Sequence, residues 1–310
     1  MVMEALTQYE RTSPFEMLGT KITETEVDAI LAQAGLDFEV GTFAPVVNGY
    51  VDEKSVGIQR LDTGETFGYG KKSYTVVQPR QAFGFLEDLI GTGLVDVVSA
   101  GTFKGGARMW IQAKVGQPIT IPGDEVEAYI TLSTGFDGQT SLQGVYGFLR
   151  LACTNQFPSL AREAKAIWRH RHSRHVLAKA EQAKEILGLA PKVIEGFEAE
   201  VRRLIETEVT DQAFRRIVQH VLPITDYQTP RQRRNVEEQR DAVRAMYGSE
   251  IDGGRFHGTG WGAVNAVNSW AQWAKPIKAS DDRAMRQAIR TLDGTFGNLT
   301  TQVANMVLAR

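Results

Sequence analysis

A change of periodicity near Pro158 constrains this 310-residue chain more than any other feature. Before it, β-branched and aromatic residues alternate between turn signals, and 20 of the 30 glycines lie there. After it, apolar residues recur at helical spacing with few interruptions. Strands first and helices later predict an α+β fold with an antiparallel sheet rather than an alternating parallel one. The expected organisation is a mixed sheet region over 1–158 and a helical region over 159–310, as two domains or one continuous domain.

Within the first region the pattern predicts a helix from about Thr23 to Ala34, with Thr23 as cap, Glu26 three residues on and Gly35 beyond its end. Val47–Leu61 and Glu65–Val77 form a hairpin about Asp62-Thr63-Gly64. A short helix over Gln81–Ile90 precedes a three-stranded meander of Val95–Phe103, Ala107–Val115 and Glu125–Thr134. Gly144–Cys153 alternates again, with Tyr146, Phe148 and Arg150 on one face. Helices are expected at about 159–188, 191–209, 211–221, 230–247, 260–274, 281–292 and 299–309. Thr229 before Pro230 makes an N-cap followed by Pro at the first helical position, and Ser280 can cap Asp281 and Asp282.

The formal charge is −2, so no global basic field announces a nucleic-acid binder. That total hides segregation. Residues 158–180 hold six Lys/Arg and one acid, a balance of +5, whereas 181–211 hold four Lys/Arg and eight acids, a balance of −4. The basic stretch centres on Arg169-His170-Arg171-His172-Ser173-Arg174-His175. Three histidines invite a metal, but flanking arginines would repel a cation, and metal sites usually recruit carboxylate or thiolate partners. A solvated face and a phosphate contact through Arg169, Arg171 and Arg174 stay open together.

A second set of cations and aromatics falls on the expected sheet, including Lys71, Lys72, Arg108, Trp110, Phe148 and Arg150. Single-strand binders pair a cationic groove with aromatic faces, yet aromatics are so often buried that a core beneath the helices is the stronger reading of Trp110 and Phe148. Gly70-Lys71-Lys72 fails as a phosphate loop, because Glu65 stands at the first glycine and Lys72 at the hydroxyl position. No Gly-x-Ser-x-Gly supports acyl transfer. Asp124 and Asp137 lie beside glycines as turn residues do. Cys153 is the single cysteine, which excludes an internal disulfide. Met1–Thr20 carries Glu4, Glu10 and Glu16 without an unbroken apolar run, and no stretch approaches a membrane span, so a soluble cytoplasmic protein is expected.

Several short motifs in a fixed order resemble the phage/plasmid-like proteins, an uncharacterised family of mobile elements. They are Gly105-Gly106 with Trp110, Gly123-Asp124, Phe136-Asp137-Gly138, Arg150 through Asn155, Arg171-His172-Ser173, and Thr259 through Val267. The likeness covers about Gly57 to Leu292, with Gln156 standing where the pattern would place Thr. The order of hairpin, helix, meander and helices is also similar to the Rad-fifty-two/Redβ/RecT-like single-strand annealing proteins, a likeness of element order alone. It implies a ring or filament of subunits holding single-stranded DNA in a basic groove, with no cofactor or ATP, and leaves room for a phage exonuclease as partner.

The leading expectation is therefore a non-enzymatic single-strand annealing protein in the bacterial cytoplasm. Phosphate would be contacted by Arg169, Arg171, Arg174, Lys71, Lys72, Arg108 and Arg150. Two other classes stay open. One is a phage assembly protein whose basic stretch meets acids of a neighbouring subunit. The other is a metal-dependent nuclease using His170, His172 and His175.

Overall fold

Turn chemistry sets the first third of the fold. The computed structural model describes residues 13–84, 86–152, 155–158, 167–176, 190–249, 254–278, 282–293, 295 and 297–309. It opens with α1 (Pro14–Leu18), β1 (Thr20–Lys21) and α2 (Val27–Gln33). The latter starts later than expected: Glu26, not Thr23, is its N-cap, without a side-chain cap bond. Thr23 is instead bonded to Gln33 through its N–H and hydroxyl. Next come β2 (Val40–Phe43), β3 (Val46–Val47), β4 (Tyr50–Val51), β5 (Ser55–Arg60) and β6 (Thr66–Lys71). Gly64 closes the β5–β6 turn at φ +71°, a conformation that a Cβ disfavours. β2, β5 and β6 form one small sheet, and β3 and β4 a separate two-stranded hairpin.

The short helices α3 (Pro79–Phe83) and α4 (Leu86–Gly91) lead into the main sheet. Its strands are β7 (Val95–Phe103), β8 (Arg108–Val115), β9 (Ile119–Ile121), β10 (Asp124–Gly135), β11 (Leu142–Arg150), β12 (Gln156–Pro158) and β13 (Ile167–His170). The antiparallel order is β1-β7-β8-β10-β11-β12, with β9 added on β10 and β13 on β11. This is the α+β architecture expected, but the β5–β6 hairpin belongs to a sheet of its own.

The segment Ile167–His170 departs from the helix expected over 159–188. It pairs residue by residue with Val145–Leu142. The rest of that expected helix, 159–166 and 177–188, lies outside the described residues. Four residues cannot distinguish helix from strand by periodicity, and the sheet edge supplied by β11 decides the outcome here.

Helices follow as α5 (Ala190–Glu206), α6 (Asp211–Val221), α7 (Pro230–Gly248), α8 (Gly260–Ser269), α9 (Arg283–Asp293) and α10 (Asn298–Leu308). Thr229 caps α7 by accepting from Gln232 N–H, with Pro230 at the first position. Asp282 accepts from Met285 N–H at the start of α9; Ser280 and Asp281 lie outside the described residues. Every residue of α8 is buried, and its polar Asn265 and Asn268 are hydrogen-bonded there. Its end widens into a π turn over Trp270–Ala274.

Both faces of the main sheet are covered. Ile111 pairs with Leu132 and Leu132 with Gly144, so their face, shared with Phe148, carries the large core. Phe148 stacks on Phe197 of α5 at 3.7 Å between ring centroids. The opposite face carries Trp110, paired with Ser133, and packs against Phe15 of α1 and Leu292 of α9. Trp110 and Phe148 are thus core residues, not stacking platforms.

One buried ion pair joins sheet to helices. Arg150 Nε donates to Asp124 Oδ2, with both side chains almost wholly buried. Trp261 Nε1 of α8 donates to the same carboxylate oxygen at 3.1 Å. The Arg150 guanidinium lies 5.5 Å from the Phe256 ring centroid. Removing one partner of such a pair strands a charge in a low-dielectric interior. Arg150→Met is therefore expected to cost about 3–5 kcal/mol in urea denaturation, with Asp124→Asn/Arg150→Met costing less than the single change. A single-variant loss below about 1 kcal/mol would contradict this role.

Candidate nucleic-acid interface

The seven cations expected to meet phosphate separate into two groups. Arg150 is fully buried and held by Asp124, so phosphate cannot reach it. Arg108 and Arg169 are turned to the C-terminus of α9. Arg108 Nη2 donates to Asp293 Oδ1 at 3.2 Å, and Arg169 Nη2 to Leu292 O at 3.0 Å. Arg169 Nε also donates to Gln143 Oε1 at 2.7 Å. Cations at a helix C-terminus meet its unsatisfied carbonyls and the negative end of its dipole. These two arginines thus anchor a helix.

Lys71, Lys72, Arg171 and Arg174 are exposed, and the fold draws their segments together. Tyr74, three residues after Lys71, donates its backbone N–H to Lys71 O at 2.8 Å. Its ring stacks on His172, with centroids 5.0 Å apart and planes 13° apart. Thr75 N–H donates to His172 O. The end of β6 and the Arg171–Arg174 turn therefore share one surface. Among the described residues, none of Lys71, Lys72 and Arg171 makes an ion pair, and Arg174 Nε donates to the neighbouring His175 ring at 2.9 Å. Tyr69, on the same side of β6 as Lys71 by alternation, is 60 % exposed.

The supports beneath this surface are fixed. Tyr74 OH donates to Gly135 O at 3.0 Å, and burial, then Asp137, keeps the phenol above its ordinary range. Asp137 accepts from Gln139 N–H, Thr140 N–H and the Thr140 hydroxyl. Burial alone would raise its pKa, but those donors and Lys104 hold it below the ordinary carboxylate value. Asp137 is therefore more than a turn former, since it buttresses Tyr74 and His172 electrostatically. Gly138 follows at φ +75°, where a Cβ would stand 2.1 Å from Tyr69 O. Only glycine lets this loop lie on β6.

His172 is buried, with Nδ1 against Thr75 O at 3.2 Å and Nε2 against the Thr134 hydroxyl at 3.2 Å. A carbonyl only accepts, so Nδ1 carries the proton and neutral Nε2 accepts from Thr134. With both nitrogens engaged, His172 does not offer itself to a metal. Among the described residues, no three His, Cys, Asp or Glu side chains are grouped to hold one.

Other sequence motifs are absorbed by a buried polar seam. Asn268 Nδ2 and Gln272 Nε2 both donate to Gln156 O, at 2.8 and 3.1 Å, and Gln156 N–H donates to Gln272 Oε1 at 3.0 Å. Asn265 Nδ2 donates to Trp261 O at 2.9 Å. Gln156 thus holds its place by longer reach, its side chain meeting Ser13 and Thr291.

Residues 67–292 match the family described as "Domain of unknown function (DUF932)", and the chain belongs to that family. Searches of curated proteins and of solved structures gave no match. Among the described residues, no helix is long and apolar enough to cross a membrane.

His172 supplies a pH test. Burial lowers its pKa below the ordinary 6.5, against the opposing pull of Thr75 O and Asp137. A histidine depressed on folding binds fewer protons folded than unfolded, so its stabilisation is full above the unfolded pKa and is lost as pH falls below it. Wild type is expected to lose stability between about pH 7 and pH 5. His172→Gln should flatten that slope in urea titrations at each pH, and an unchanged slope would contradict the assignment.

Proposed function

We propose that this chain binds single-stranded DNA as an annealing-type protein of a mobile element, through Lys71, Lys72, Arg171 and Arg174 beside Tyr69. The reading rests on one observation: four exposed cations from two distant segments converge on one surface, and among the described residues no carboxylate is paired with them. Cations placed in this way can neutralise a phosphodiester backbone, and an exposed phenol ring offers a base a stacking face. Annealing asks for no bond-making chemistry. It needs a strand held extended by its backbone while base edges stay free to test a second strand. The reading accordingly needs no hydrolytic centre.

Self-association belongs to the same reading, because a few cations per subunit become a track only when subunits repeat. The β3–β4 hairpin is where a contact would be sought. Val46, Val47, Tyr50 and Val51 are all more than half exposed there, and apolar groups gathered at one surface favour association.

Binding of a labelled single strand, followed by fluorescence anisotropy across a salt titration, tests the proposal. Each neutralised phosphate on a single strand contributes about −0.7 to the slope of log K against log salt. Replacing Lys71, Lys72, Arg171 and Arg174 by Gln should therefore reduce the slope by about 3 and weaken binding at low salt. Arg169→Ala should chiefly lower thermal stability. Unchanged affinity in the fourfold variant would overturn the assignment, and equal preference for duplex would overturn the single-strand reading.

A further inference from the structure

Away from the Lys71–Arg174 surface, α7 carries three further arginines, Arg231, Arg233 and Arg234, with no acid between Tyr227 and Val236. The C-terminal half of α7 roots it in the fold. Val243, Met246 and Tyr247 are buried, and the Tyr247 ring stacks on Phe214 of α6 with centroids 3.8 Å apart. Arg240 marks the outer end of that packing. Its Nε and Nη2 donate to Leu222 O, just past α6, at 3.0 and 2.7 Å, and its Nη1 donates to Glu237 Oε1 at 2.7 Å. Residues 230–239, ahead of Arg240, extend about 15 Å at the rise of an α-helix. Pro230 through Asn235 are all exposed, as are Glu237 and Glu238. This half of the helix is polar on every side and has no apolar face to bury against its own fold.

The start of α7 is nevertheless held in one shape. Thr229 and Gln232 form a reciprocal cap, Thr229 N–H donating to Gln232 Oε1 at 2.8 Å and Gln232 N–H to the Thr229 hydroxyl at 3.3 Å. Arg233 is engaged by the preceding loop, its Nε donating to Gln228 O and its Nη2 to Asp226 O, each at 3.1 Å. Tyr227 stands between those two carbonyls in sequence and is 98 % exposed. Arg231, Arg234 and Asn235 remain, spaced by three and four residues along one stripe. Among the described residues, neither Arg231 nor Arg234 makes an ion pair. Glu237 is turned to Arg240, and Glu238, one turn beyond Arg234, ends the stripe.

We propose that the outer half of α7 seats in the major groove of duplex DNA, with Arg231, Arg234 and Asn235 toward the bases. That groove is about 12 Å wide and admits a helix about 10–12 Å across. Arginine meets guanine there, and asparagine meets adenine, through paired hydrogen bonds. Phosphates beside the groove are met by tyrosine hydroxyls as well as by cations, the chemistry that Tyr227 offers. A second copy of this chain is a poorer occupant, because two carboxylates of its acid-rich α5 are already held, Glu198 by Arg202 and Glu200 by Arg203. The site does not depend on the single-strand reading, since it uses none of the same residues.

The test uses the full chain, its Arg231→Gln/Arg234→Gln variant, and an Arg202→Gln/Arg203→Gln control that removes the same charge from α5. Fluorescence anisotropy follows a labelled DNA duplex at low salt, beside an RNA duplex of matching sequence. Exposed arginines without ion pairs carry little of the fold, so the Arg231→Gln/Arg234→Gln variant should melt with wild type. Its affinity for duplex DNA should fall about tenfold or more, and the control should stay within about twofold of wild type. Duplex RNA should bind more weakly, because its deep, narrow major groove does not admit a helix. A chain with Lys71, Lys72, Arg171 and Arg174 replaced by Gln should keep its duplex affinity, so failure of the first surface and failure of this site give different results. Equal duplex affinity in wild type and the α7 variant, an equal loss in the control, or no duplex binding by wild type would overturn the proposal. So would RNA bound as tightly as DNA, or an α7 variant that melts well below wild type. An α7 variant that changes the mass of the assembly in sedimentation while keeping its duplex affinity would assign the helix to a second copy and overturn the proposal as well.

Discussion

The Asp124–Arg150 ion pair is the constraint on which the joint between sheet and helices depends. Its members come from neighbouring strands, β10 and β11, and the carboxylate is shared with the indole of Trp261 on α8. A buried carboxylate requires cationic and hydrogen-bond partners together, because either alone leaves part of its charge uncompensated. The strands that supply the pair must therefore stay in register, and α8 must stay docked. Gln156, Asn268 and Gln272 extend the joint with backbone-directed bonds. Polar bonds of this kind accept fewer arrangements than apolar packing and favour one way of seating the helices.

A second dependence runs through α9. Its C-terminal carbonyls and Asp293 receive Arg108, Gln143 and Arg169 from the sheet, so the helix lies with its negative end on a cationic strand surface. At its other end Arg283 donates to Gln272 O in the π turn and to Lys275 O just after it. Arginines that look alike in sequence thus do different work: Arg108 and Arg169 fasten a helix, whereas Arg171 stays exposed with no ion pair among the described residues. Net charge, or even local charge density, does not distinguish the two.

The legible parts of the fold were those encoded by neighbours in sequence. Asp62-Thr63-Gly64, the meander from Val95 onward and the Thr229-Pro230 cap all appear where turn and capping chemistry places them. What local pattern could not show was which partner each segment meets. Ile167–His170 joins an edge 22 or more residues away, and that contact overrides a short helical pattern. The parity of Arg150 with Tyr146 and Phe148 was readable, but that both faces of the sheet are covered was not. Asp124 shows the same limit: its place beside Gly123 explains a turn, whereas its role comes from Arg150 and Trp261, 26 and 137 residues away. For the candidate surface, sequence offered seven cations, and the Tyr74–His172 stack selects four of them.

Chemical labelling of lysine amines, read by mass spectrometry with and without a saturating single-stranded oligonucleotide, tests the central claim most directly. The account predicts that Lys71 and Lys72 become protected, while the exposed Lys21 and Lys192 react at unchanged rates. Protection that spares Lys71 and Lys72, or no protection at any lysine, would contradict it.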